Sequence, residues 1–358
     1  MKFPVLTFIF LVLIVHFVYR YGYRKMAPTV ESGVLVMALS VFALFLLPVL
    51  TMSPFLKWVA GMTVFIIWFY LAFNLLQAFI QAEWSLHDRV NQVALGSWVV
   101  GTAMTALLLD QAEHTLHGFI VFLSIIAVIL WIGYLKMIMR WFVVFIEQKA
   151  KLPVHGNLLL AAVSTQSIVL LIEELFDSAL PIGIYQILIF WGLLCYALAV
   201  IFIAIYWLSR QRQCHVATWS NSYGLLHGAM AISALAMFNT QAFSSDLANI
   251  AWWWALIVFI LFEGMEIFRA IVRVQSRGLR RGLFVYSTSQ WTRIFTFGML
   301  YAATLAYYGQ QFSENHFILM IVNEGKYVLV VLLALEVILA WRRAAQAGMV
   351  VDADNLSH

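Results

Sequence analysis

Charge is scarce in this 358-residue chain: Asp, Glu, Lys and Arg make up 11% of it, against 64% hydrophobic residues. Soluble domains carry about 25% charged residues, so a water-soluble fold is excluded and the chain reads as a membrane protein. Cysteine is almost missing. Cys195 in an apolar run and Cys214 in a loop are isolated thiols, and they make neither a disulfide framework nor a metal site. No phosphate-cradling Gly-rich loop, nucleophile elbow or His-Glu-x-x-His zinc motif occurs, so no enzyme class is indicated. Basic patches interleaved with stacking aromatics are also lacking, and the net charge of +4 implies no nucleic-acid partner.

Long apolar runs fill the space that charge leaves. A helix crossing a hydrocarbon core of about 30 Å needs about 20 apolar residues. Eleven segments qualify, near 3–19, 30–50, 57–80, 92–110, 117–139, 155–176, 183–208, 222–240, 248–269, 285–308 and 317–341. They are long and continuous, whereas transmembrane barrel strands are short and alternate. After the first segment, the chain alternates between small-residue and bulky runs. The small-residue runs are SGVLVMALSVFALFL from Ser32, ALGSWVVGTAMTALLL from Ala94, LLLAAVSTQSIVLL from Leu158, LLHGAMAISALAMF from Leu225 and FTFGMLYAATLAYY from Phe295. They recur roughly every 60 to 65 residues, a period typical of repeat architecture. Small side chains let helices approach closely. Five such helices, jacketed by the five bulky ones, would enclose a pore.

Lys and Arg collect in cytoplasmic loops. If all eleven segments span, Arg20, Arg24, Lys25, Arg89, Lys136, Arg140, Lys149, Lys151, Arg210, Arg212, Arg269, Arg273, Arg277, Arg280, Arg281, Arg342 and Arg343 share one side, and only Lys2 and Lys57 fall on the other. The amino terminus is then outside and the carboxyl terminus cytoplasmic, in a plasma membrane (the inner membrane of a bacterium). Residues 1–27 form an additional transmembrane helix with a basic loop, 28–343 the ten-helix domain and 344–358 a loose polar tail. The first run lacks a small-x-small cleavage site and is read as a retained anchor, with a cleaved or interfacial segment as the alternative.

The segments NQVALGSWVVGTA (Asn91 to Ala103), LLLAAVSTQSIVLL, SYGLLHGAMAISALAMF (Ser222 to Phe238) and SQWTRIFTFGMLYAATLAYY (Ser289 to Tyr308) resemble those of the tellurite-resistance/dicarboxylate transporter family, which includes TehA proteins and plant slow anion channels. The similarity covers roughly 28–343. It implies an all-α polytopic membrane protein of five helical hairpins around a central pore, to which this chain adds its amino-terminal helix. It also implies transport of small anions such as chloride, nitrate, sulfite, tellurite or a dicarboxylate, without a cofactor, by a homotrimer in membrane lipid. The family's pore is occluded by a phenylalanine on the ninth helix, followed by Pro or Gly. The match here is Phe297-Gly298, with Phe295 as the choice after a register slip. On composition alone Phe297 is one of 28 phenylalanines that pack between helices.

Arg293 precedes Phe297 by one turn and shares its face. It is either a pore cation that attracts anions or the partner of Glu263, Glu266 or Glu336. Ser97, Thr102, Ser164, Thr165, Gln166, Ser167 and Ser233 are either anion donors or satisfied by nearby carbonyls. His227 is an anion donor, a pH gate or a hydrogen-bonded core residue. Gly96, Gly101, Gly228 and Gly298 allow kinks or spacing. Glu173, Glu174 and Asp177 form an acidic vestibule or a solvated loop edge, and Glu324 and Lys326 suit a subunit contact. The competing function is a membrane-integral haem-binding redox protein, since His16, His117, His155, His227 and His316 lie in or near helices and histidine ligates haem iron.

Overall fold

A computed structural model describes residues 2–21, 32–81, 89–147, 154–176, 179–209, 220–284, 286–311 and 315–355. Arg24, Lys25, Lys149, Lys151, Asp177, Arg210, Arg212 and Cys214 lie outside them. The described chain is all helix, without a strand. In order, the helices are α1 (Lys2–Tyr21), α2 (Ser32–Leu50), α3 (Pro54–Ile80), α4 (Gln92–Ala112), α5 (His117–Glu147), α6 (Gly156–Phe176), α7 (Ile182–Ser209), α8 (Leu225–Thr240), α9 (Ser245–Leu283), α10 (Ser289–Gln311) and α11 (His316–Asn355). Seven of them, α2 to α7 and α11, are long and apolar enough to cross a membrane, which makes this an all-α membrane protein.

The small-residue helices contact one another in a closed cycle: α2 packs on α4, α4 on α6, α6 on α8, α8 on α10 and α10 on α2. Each bulky helix covers a groove. α3 touches α2 and α4, α5 touches α4 and α6, α7 touches α6 and α8, α9 touches α8 and α10, and α11 lies on α10. Burial follows the same division, with 89% of the α4 span and 78% of the α6 span buried against 28% for α3 and α5 and 11% for α11. α1 packs outside the cycle, mainly on α3.

The cycle helices run parallel. Gly33 abuts Ser97 and Trp98, Gly101 abuts Gly33 and Val36, and Ser40 Oγ lies 3.4 Å from Thr105 Oγ1, so position numbers rise together along α2 and α4. Gly96 meets Leu160 at the start of the α4–α6 seam, and Gln111 donates to Glu174 at its end, 3.3 Å away. Asn221 donates to Ser289 (3.1 Å) where α8 and α10 begin. Gln310 donates to the Phe238 carbonyl (2.9 Å) where they finish.

Two local features have sequence causes. Within α2, Phe42–Leu46 is a π segment in which the Leu47 N–H bonds the Phe42 carbonyl. It ends two residues before Pro48, which has no N–H to give and crowds the preceding turn. The basic stretch after Arg269, expected as a loop, stays helical to Leu283 except at Gly278, where φ is 75°, a conformation that favours glycine. The tail expected to be loose is helical as far as Asn355.

A Cβ at Gly156 would collide with the backbone of Ser222, whereas one at Gly133 would meet nothing within 4 Å. Gly156→Ala should therefore destabilise the protein by about 1–3 kcal/mol through overpacking. Gly133→Ala should leave it unchanged or slightly improved. Thermal unfolding of the two variants in detergent micelles compares them directly; equal midpoints would contradict close packing at this seam.

Candidate functional site

The contacts of α10 define its faces. Thr296 lies against Gly228 of α8 and against Gly224 in the turn just before it, and Gly298 against Val41 of α2. Thr304 accepts from Trp252 of α9 at 3.0 Å, and the Tyr301 hydroxyl donates to the Val322 carbonyl of α11 at 2.9 Å. At about 100° per residue, the face opposite those wall contacts belongs to Phe295 and Met299, both fully buried. These two residues point toward the inside of the cycle.

Phe297, about 200° away from Phe295, points the other way. Its ring stacks on His227 at 6.2 Å and meets Phe259 of α9 edge-on at 5.2 Å. The Arg293 guanidinium sits 5.3 Å from its centre, so the shared face of Arg293 and Phe297 expected from their spacing is present. That face, however, abuts the wall. Arg293 is paired through two hydrogen bonds with Glu263 of α9, so its charge is balanced by a neighbouring helix. Glu266 pairs with Arg269 at 2.6 Å, and Glu336 is buried with Oε1 unpartnered.

His227 is fully buried among Phe259, Phe262 and Phe297. Neither ring nitrogen has a hydrogen-bond partner, so the hydrogen-bonded core histidine expected as one alternative is corrected to an aromatic-packed one. Its ring fills the α8–α9–α10 junction on the wall side.

The hydroxyls are committed as well. Ser97 donates to the Ala94 carbonyl, Thr102 to Trp98, Thr165 to Ala161, Ser167 to Ser164 and Ser233 to Ala229, at 2.7–2.8 Å. Their protons satisfy backbone carbonyls, one of the two alternatives the sequence left open. Thr102 and Thr165 also face the wall, accepting from Trp68 (3.0 Å) and Trp131 (3.1 Å). Gln166 donates to the Ile189 carbonyl of α7 at 3.1 Å, and its Oε1 has no partner. With Thr165 and Gln166 turned outward, Ser164 and Ser167 occupy the opposite, inward face of α6.

These tryptophan brackets were missed in the sequence, although their signal is there. Trp68 and Thr102 are separated by 34 residues, as are Trp131 and Thr165. The same contact recurs one repeat later, and Trp252–Thr304 supplies a third example.

The four glycines, expected to allow kinks or wide spacing, stand at close approaches between helices. A Cβ at Gly96 would meet Tyr134 and Leu160, at Gly101 the Gly33 carbonyl and Val36, at Gly228 Thr296, and at Gly298 Val41. Among the described residues only Gln241 and Gly278 have positive φ. Gly96 does follow a one-residue break at Leu95.

No protein-family model matches this chain, and no curated protein matches it in sequence. The geometry of the site therefore stands on its own.

Removing one partner of a partly buried ion pair leaves an uncompensated charge. Arg293→Met should destabilise the protein by about 3 kcal/mol, and adding Glu263→Leu should recover most of that loss. Thermal unfolding of the single and double variants is the check; a single variant as stable as the parent would exclude a structural pair.

Proposed function

We propose that this chain is an anion channel or transporter whose path runs along the axis enclosed by α2, α4, α6, α8 and α10. In this proposal all eleven helices span, and α2 to α11 form five hairpins. The amino terminus is outside and the carboxyl terminus cytoplasmic, consistent with the distribution of Lys and Arg. The observation that carries the proposal is the closed cycle of small-residue helices.

Their parallel arrangement supports anions in particular. Each helix carries roughly half a positive charge at its amino terminus, and in this arrangement five such ends share one side, where backbone N–H groups favour anions. Acidic residues on these helices, Asp110, Glu173 and Glu174, fall in their last turns. The inward face of α6 carries Ser164 and Ser167, whose hydroxyl protons go to the Ala161 and Ser164 carbonyls, beside apolar side chains. Such a lining holds an anion weakly enough for it to leave.

Phe295 is the proposed plug, in place of Phe297. It is inward-facing and fully buried, and an apolar constriction blocks ions by excluding their water. Arg293 and His227, on the wall side of their helices, support the path by holding α8, α9 and α10 together. A homotrimer is proposed through the lipid-facing wall, where Trp253 and Trp254 are exposed on α9.

The test is anion flux in liposomes under chloride and nitrate gradients, with and without a pH gradient. Phe295→Ala should raise flux several-fold, while Phe297→Ala should change it little. Absence of flux in the parent and in a folded Phe295→Ala variant would overturn the proposal.

A further inference from the structure

Between the wall helices α3 and α5, over the amino-terminal half of α4, lies a groove with a volume of about 530 Å³. Its lining runs from Trp68 to Phe79 on α3, from Leu95 to Thr102 on α4 and from Ile126 to Met137 on α5. The stretches on α3 and α5 each rise about 16 Å, close to half of a hydrocarbon core about 30 Å thick. The groove is therefore one leaflet deep. Its mouth opens outward, where the lining residues Leu76 and Ile129 are exposed.

The polar groups of Trp68, Thr102 and Tyr134 are committed to the protein itself. Trp68 Nε1 donates to Thr102 Oγ1 at 3.0 Å, the Thr102 hydroxyl donates to the Trp98 carbonyl at 2.7 Å, and the Tyr134 hydroxyl donates to the Val93 carbonyl at 3.0 Å. An ordered water needs about two to four polar partners, and a polar ligand buried without partners is penalised. Hydrocarbon suits the space instead. Left empty, the groove would deprive its lining of dispersion contacts. Gly133 keeps it open, since a Cβ there would meet nothing within 4 Å.

Charge appears at one end. On α5 the lining positions Ile126, Leu130, Gly133 and Met137 form one stripe at spacings of four and three, and Arg140 continues it one turn further along the helix. Lys136 stands beside the stripe. Both cations are exposed, and among the described residues neither forms an ion pair. A stripe that is apolar for the depth of a leaflet and then cationic complements a phospholipid with a net negative headgroup, because basic residues at membrane helix ends attract anionic lipid.

We propose that this groove seats an acyl chain of one anionic phospholipid, whose phosphate is held by Arg140 and Lys136. The site requires that α3, α4 and α5 cross the membrane, as their length and apolarity allow. It does not depend on the anion path.

The test uses the full-length chain in liposomes containing phosphatidylglycerol with a photoreactive diazirine midway along one acyl chain, and reads labelled peptides by mass spectrometry. The α5 stripe and the facing part of α3 should be labelled several-fold more than the exposed positions Val328 and Val331 of α11. Unlabelled phosphatidylglycerol should compete about ten-fold better than phosphatidylcholine. Gly133→Trp, which fills the groove, should cut labelling on α3 several-fold with unchanged thermal unfolding. Lys136→Gln combined with Arg140→Gln alters only exposed side chains, and should keep the labelling while removing the preference for phosphatidylglycerol.

Labelling no denser than on α11, equal competition by the two lipids, or labelling indifferent to Gly133→Trp in folded protein would overturn the proposal. Cross-links from the groove to a second copy of the chain, in place of lipid, would overturn it as well.

Discussion

Backbone proximity is the constraint on which the rest of this structure depends. Inside a bilayer, burying Leu against Leu gains little, because lipid tails are equally apolar. Helix association has to come from close van der Waals contact and from hydrogen bonds between helices. The cycle of α2, α4, α6, α8 and α10 supplies the first through residues without bulk, as where Gly156 lies against the Ser222 backbone and Gly228 against Thr296. The wall supplies the second. Trp68, Trp131 and Trp252 each reach inward to a threonine hydroxyl on a cycle helix, so the outer layer is fastened to the inner one by a repeated polar bracket.

The same brackets explain which polar groups are available for chemistry. A threonine that gives its proton to its own helix and accepts from a wall tryptophan has little left for a permeating ion. Arg293 likewise faces Glu263 rather than the axis. The electrostatic preference of the proposed path therefore comes from the backbone, through helix ends gathered on one side, more than from any ionised side chain. Under the proposed function, this arrangement would favour anions without a deep binding well, which suits passage better than capture.

The division between inner and outer helices was legible in the sequence, because the small-residue and bulky runs differ in composition and alternate with a nearly constant period. Which residues share a face was legible too: Arg293 and Phe297, four apart, do lie together. Which way that face points was not. Helical periodicity fixes angles within one helix, but the direction of the axis is set by the neighbours. On α10 the difference between Phe295 and Phe297 is two residues and about half a turn. The helical extension past Arg269 was hidden by its charge, which reads as a loop in a membrane protein.

Closure of the cycle at the α2–α10 seam is the central structural claim, since this contact joins the first and last members across the length of the chain. A Cβ at Gly298 would lie 3.8 Å from that of Val41, about the mean Cβ separation of a disulfide. The direct measurement is oxidative cross-linking of Val41→Cys with Gly298→Cys, in a background carrying Cys195→Ala and Cys214→Ala, read by mass spectrometry of the bridged peptides. Rapid bridging of this pair is predicted, with Val41→Cys and Ala229→Cys on non-adjacent helices remaining free. Failure of the Val41–Gly298 pair to bridge in folded protein, or equal bridging of the non-adjacent pair, would contradict the closed ring.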